Sequence, residues 1–220
     1  MNESPLLSCL LQKKLILIGR TIPVEAMKYA LESCIRAGFC FFESPYLHTL
    51  ENPIADNCEK LLALKACFGN TLHFGAGTVL TASEVVAAKQ AGAEFIVSPN
   101  TNAEVISKTK ALGLLSIPGA MTPTEIMSAH SYGGDIIKLF PAFDLGYSYI
   151  KSIRVPLCHI PMLAAGGVTP QTIPEFQKLG IQAFGVASSV LRKDLIDNEN
   201  YEEIYHLARQ HKEALLAAAV

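Results

Sequence analysis

Charge of one sign is scarce in this 220-residue sequence. Eighteen Lys and Arg stand against 20 Asp and Glu, for a net charge of −2. With no dense basic run either, the balance speaks against a nucleic-acid or polyanion partner. Long hydrophobic runs are absent too. The apolar stretches are too short to span a bilayer, and Met1-Asn2-Glu3-Ser4-Pro5 lacks the basic start of a signal peptide. The expectation is a cytoplasmic protein with no membrane partner. The six cysteines (Cys9, Cys34, Cys40, Cys58, Cys67 and Cys158) form no C-x-x-C pair. They read as reduced thiols, most of them in apolar surroundings. The six histidines (His48, His73, His130, His159, His206 and His211) show no H-E-x-x-H or other ligand spacing. No metal site is expected from them. No linker or low-complexity segment divides the chain. What is plentiful is hydrophobicity, half of all residues, which is ample for the core of one domain spanning residues 1–220.

The apolar residues follow a rhythm. Ser4 to Lys13 reads as a short amphipathic helix, with Ser4 at its N-cap and Pro5 at its first position. Short apolar runs then recur at Leu15–Gly19, Phe39–Phe42, Leu72–Gly75, Phe95–Val97, Leu114–Ile117, around Lys138, at Pro161–Ala164 and at Ala183–Val186. Helical periodicity fills the intervals, and a last Ala/Leu-rich helix runs from Tyr201 to Ala218. Thr81 caps one helix, and Thr122-Pro123-Thr124-Glu125 opens another with the pattern of a capping box. Glycines such as Gly38, Gly92, Gly113 and Gly180 close them. Eight alternating βα units predict an α/β fold with a parallel, eight-stranded (β/α)8 TIM barrel and an extra N-terminal helix. No G-x-G-x-x-G follows the first strand, so nothing specific supports a dinucleotide fold.

In a barrel of this kind the active site lies at the C-terminal ends of the strands. Those ends carry Arg20, Glu43, Gly77-Thr78, Ser98-Pro99-Asn100, Pro118-Gly119, Lys138, Gly166-Gly167 and Ser188. Lys138 sits inside the apolar run Asp135-Ile136-Ile137-Lys138-Leu139-Phe140-Pro141. Loss of hydration there disfavours the ammonium and makes a nucleophilic amine more available. Side chains alternate along a strand, so Phe39, Phe41 and Glu43 share one face, as do Ile136, Lys138 and Phe140. If those faces point inward, Glu43 and Lys138 converge in one pocket. The plainer alternative is a buried salt bridge between them, which brings little net stability. A lysine nucleophile with a carboxylate acid/base suits iminium chemistry, in which a carbon–carbon bond next to the former carbonyl breaks through an enamine. Arg20 is a candidate for holding a substrate carboxylate, or a plain surface arginine. Gly166-Gly167, and Ser188 where a helix is expected to begin, read either as a phosphate site or as ordinary turns.

These residues fall within motifs that carry a resemblance. They are Gly75-Ala76-Gly77-Thr78-Val79, Val97-Ser98-Pro99-Asn100, Pro118 to Glu125, Ile137-Lys138-Leu139-Phe140-Pro141 and Gly166-Gly167-Val168. From about Leu15 to Leu191 the chain resembles the bacterial 2-keto-3-deoxy-6-phosphogluconate (KDPG) aldolases and the related 6-phosphogalactonate and 4-hydroxy-2-oxoglutarate (KHG) aldolases. The resemblance implies a class I, metal-independent lyase without a cofactor, acting on a phosphorylated 2-keto-3-deoxy sugar acid to give pyruvate and glyceraldehyde 3-phosphate. It implies Lys138 as the Schiff-base residue and Glu43 as the general acid/base. Arg20 and Thr78 would surround the pyruvate carboxylate, Pro99 and Phe140 line the pocket, and Gly166, Gly167 and Ser188 meet the phosphate. A homotrimer is implied as well. Many members carry an arginine shortly after the glutamate; here that stretch is Ser44-Pro45-Tyr46-Leu47-His48, and Arg20 takes the part instead. Ala187 stands where some members have glycine. Two other readings remain: a phosphosugar isomerase or epimerase, which would need no lysine buried in strand six, and an inactive barrel that only binds a phosphorylated metabolite.

Overall fold

The computed structural model describes residues 4–217. The reading of Met1 to Glu3 and the end of the last helix at Ala218 lie outside the described residues. The strands are β1 (Leu15–Ile18), β2 (Phe41–Pro45), β3 (His73–Gly77), β4 (Phe95–Val97), β5 (Leu115–Ile117), β6 (Gly119–Ala120), β7 (Ile137–Leu139), β8 (Met162–Ala165) and β9 (Ala183–Val186). They form one parallel sheet in the order β5-β4-β3-β2-β1-β9-β8-β7-β6.

The expected eight strands thus appear as nine segments, because the fifth is split at Pro118. Proline has no N–H to give to a ladder. The two halves, β5 and β6, stand at the two ends of the sheet order and are separated by that single residue. On one side the Ser98 N–H donates to the Ile117 carbonyl at 3.1 Å. On the other the Lys138 N–H donates to the Pro118 carbonyl at 2.9 Å. The split strand therefore draws the barrel closed, with Lys138 beside the seam.

Alternation sorts the strand residues into two cores. Ile16, Phe41, Phe95, Val97, Ile117, Ile136 and Leu163 fill the bore. Leu15, Leu17, Phe42, Phe74, Ile137 and Leu139 pack outward against the helices. Leu7 and Leu10 of the N-terminal helix (Pro5–Lys13) join the inner cluster from the end where β1 begins. Ser4 precedes that helix but makes no side-chain cap bond. The capping boxes at Thr81/Glu84 and Thr122/Glu125 both form. Phe39 departs from expectation. It belongs to the outer cluster, because β2 starts only at Phe41 and the two-residue alternation does not reach back to it.

Candidate active site

The nine residues singled out in the sequence, Arg20, Glu43, Thr78, Pro99, Lys138, Phe140, Gly166, Gly167 and Ser188, all line one cavity of about 770 Å³. The reason is topological: each lies within or shortly after a parallel strand, and a closed barrel gathers the C-terminal parts of its strands onto one face.

Glu43 and Lys138 reach the cavity from opposite sides of the barrel, on β2 and β7, and are 2% and 8% exposed. Sequence alternation places them correctly, since Phe41 and Ile136, two residues before each, both lie in the bore. They do not pair. Among the described residues neither makes an ion pair within 4.0 Å, so the plain salt bridge is not what buries them. Burial pushes the Glu43 carboxyl above its ordinary value, against the pull of the Lys138 and Arg20 charges. Burial also holds the Lys138 ammonium below its ordinary value; Glu43 opposes this and Arg20 adds to it. Both shifts are toward the neutral forms of the two groups. The Phe140 ring centre lies 4.9 Å from Lys138 Nζ. Gly77 makes room for the acid: a Cβ there would fall 1.8 Å from Glu43 Oε1.

The β1 and β3 ends form a cationic corner. Arg20 Nη2 donates to Thr78 Oγ1 at 3.3 Å. Among the described residues Arg20 makes no ion pair within 4.0 Å, and it lines the cavity. Thr78 has φ of 54°, in the left-handed region that β-branched residues avoid. His48 supports it, donating from Nε2 to the Thr78 carbonyl at 2.9 Å. His48 Nδ1 lies 3.7 Å from Glu84 Oε1, and the Tyr46 hydroxyl donates to the Glu84 carbonyl at 2.9 Å. The sequence showed Ser44 to His48 only as the stretch where many members of the resembling family carry an arginine. The nearest signal was its place directly after Glu43.

The β8 and β9 ends form the other wall. Gly166 and Gly167 have φ of 88° and 72°, and a Cβ on Gly167 would lie 2.2 Å from Phe143 Cβ. Only glycine fits that turn, so the backbone itself faces the cavity. Ser188 does not begin a helix. It lies in a turn closed by the Val190 N–H on the Ala187 carbonyl at 3.0 Å, and the next helix starts at Lys193. Two polar lining residues were not singled out, Thr169 and Ser189. The Ser189 hydroxyl donates to the Val168 carbonyl at 2.8 Å and lies 3.0 Å from His211 Nε2, tying the two loops together.

Residues 49–207 match the family model described as KDPG and KHG aldolase. The 2-dehydro-3-deoxy-6-phosphogalactonate aldolase of Escherichia coli (strain K12) is 31% identical over 201 residues, covering 91% of this chain and 94% of that protein. The 2-dehydro-3-deoxy-phosphogluconate aldolase of Haemophilus influenzae is 34% identical over 137 residues, covering 61% of this chain and 64% of that one. The solved structure called "Native KDPGal structure" superposes with a TM-score of 0.82 at 29% identity, over 93% of this chain and 95% of that chain.

Proposed function

The chain belongs to the KDPG and KHG aldolase family of carbon–carbon lyases, and from that premise we propose that residues 1–220 act as one domain that cleaves a 2-dehydro-3-deoxy-6-phospho sugar acid to pyruvate and glyceraldehyde 3-phosphate through a Schiff base on Lys138. The observation that carries this reading is the unpaired couple of Lys138 and Glu43, both buried and both facing one cavity. The Lys138 amine attacks the substrate C2 carbonyl, and Glu43 transfers the proton that forms the carbinolamine hydroxyl. Glu43 then protonates that hydroxyl as water leaves, giving the iminium. Its carboxylate next takes the proton from the C4 hydroxyl while the C3–C4 bond breaks. The aldehyde departs, and the electron pair passes through the enamine to the iminium nitrogen. Protonation at C3 and hydrolysis release pyruvate and the free amine. Arg20 and Thr78 hold the carboxylate next to C2. Phe140 and Pro99 confine the carbon chain, and Gly166, Gly167 and Ser188 receive the phosphate.

The sequence does not choose between the two epimers, and the gluconate-derived acid is the first reading. The galactonate epimer is the second reading, favoured by the longer match to the galactonate enzyme, 91% of the chain against 61%. A side-by-side assay of pyruvate release from the two epimers and from 4-hydroxy-2-oxoglutarate tests both readings. Turnover of one phosphorylated epimer well above the other two is the expected outcome. No release from any of the three would overturn the proposal. We also infer a cytoplasmic homotrimer. Met121, Met127, Tyr132 and Phe143 stay exposed, as an unoccupied subunit interface would leave them, and none of the six cysteines is in a disulfide. Light scattering on the purified protein checks the trimer, and a monomeric mass would refute it. Among the described residues no helix is long and apolar enough to cross a membrane.

A further inference from the structure

Outside the cavity, on the helix Pro53–Phe68, Lys60 turns its amine back toward β1. Lys60 Nζ donates to the Gly19 carbonyl at 2.8 Å and to the Ile22 carbonyl at 3.3 Å. Those two carbonyls bracket Arg20 and Thr21. Thr21 has φ of 56°, a second β-branched residue in the left-handed region at this corner of the site. Such a conformation persists only where its surroundings hold it. Gly19 is fixed from the other side, because its N–H donates to the Glu43 carbonyl at 2.9 Å and a Cβ there would lie 2.5 Å from the Phe42 ring. The backbone thus leaves the barrel at a set point and is then bent around one ammonium. Among the described residues Lys60 has no carboxylate partner. Its compact, multi-donor head suits two diverging carbonyls.

We propose that Lys60 is a positioning residue of the carboxylate subsite, shaping the Gly19–Ile22 turn so that the Arg20 guanidinium meets the pyruvate carboxylate. This rests on the reading of Arg20 as the carboxylate ligand. The test runs the reaction in the condensation direction, varying pyruvate and glyceraldehyde 3-phosphate separately, in Lys60→Met, Lys60→Gln, Arg20→Gln and Arg20→Gln/Lys60→Met. Lys60→Met is expected to raise the pyruvate KM by about tenfold, as for loss of hydrogen bonds from a charged donor. The change falls on that constant rather than on kcat or the aldehyde KM. Lys60→Gln, which is shorter by one atom but keeps N–H donors, is expected to restore part of it. In the Arg20→Gln background the second substitution adds nothing, because its route is already removed. Lys60→Ala serves in place of Lys60→Met if the latter does not fold. An unchanged pyruvate KM, both KM values rising alike, or additive effects in the double variant would overturn the role of Lys60 while leaving Arg20 in place. An Arg20→Gln variant with normal pyruvate KM would overturn the carboxylate reading, and the Lys60 proposal with it.

Discussion

Replacing Gly77 by alanine puts a methyl group where the Glu43 carboxylate now lies. The new Cβ would stand 1.8 Å from Oε1 and 2.4 Å from Cδ, whereas ordinary contact starts near 3.4 Å. The carboxylate must therefore retreat by about 1.6 Å. A displacement of about 1 Å from productive geometry costs on the order of 100-fold, and complete loss of a general acid/base costs roughly 100- to 10,000-fold. The expected kcat loss in Gly77→Ala lies in that same range. The fold survives: inserting one methyl into a packed site costs about 1–3 kcal/mol, a few degrees of Tm per kcal/mol in a chain of this length. Two assays separate the effects. Pyruvate release gives kcat, and borohydride trapping with pyruvate reports the amine. Lys138 lies on β7 and keeps its amine, so trapping, which Glu43 assists, should slow but stay measurable on long incubation while turnover collapses. A folded Gly77→Ala protein with kcat within a few-fold of wild type would refute the placement of Glu43 as the acid/base. Complete loss of trapping, where Glu43→Gln still traps, would show that the methyl disturbs the amine, contrary to this geometry.

Glu43→Gln should keep measurable trapping on Lys138 and lose about 100- to 10,000-fold in kcat, and retained activity would remove Glu43 from the mechanism. Lys60 gives a pH prediction of stability. Burial holds its ammonium down to about 8 against an ordinary 10.5, so between those pH values the unfolded chain binds more protons than the folded one. Stability from this group therefore rises with pH across that window, by up to about 3 kcal/mol for a shift of this size. In Lys60→Gln that rise is missing, and urea unfolding at pH 7.5 and pH 10, as chosen test points on the order of those limits, would show it. Parallel pH curves for the two proteins would contradict the assignment.

Much of the architecture could be read from the sequence because a parallel barrel repeats one unit. Short apolar runs mark that unit eight times, Thr caps and closing glycines punctuate several of the repeats, and the fold rule then assigns every strand end to one face. Glu43 and Lys138 were legible for that reason: each is the charged residue on an inward row headed by Phe41 or Ile136. Phe39 was misplaced because alternation gives a phase and not a starting residue, and β2 begins two residues later. The split at Pro118 was present in the sequence as a strand-ending proline. Its effect, two half-strands pairing with opposite neighbours, depends on closure of the barrel and has no local signature. Ser188 was expected at a helix start, but a single turn intervenes before Lys193. Lys60 and His48 were out of reach for a common reason. Each acts on a backbone carbonyl far along the chain, Lys60 on Gly19 and His48 on Thr78, and carbonyls leave no trace in residue type.

The covalent role of Lys138 is the centre of this account, and one measurement tests it directly. The protein is incubated with pyruvate, reduced with borohydride, digested and analysed by peptide mass spectrometry. The account predicts a stable pyruvate-derived adduct on Lys138 that is absent from Lys138→Ala. An unmodified Lys138 in active protein, or an adduct that persists in Lys138→Ala, would contradict it.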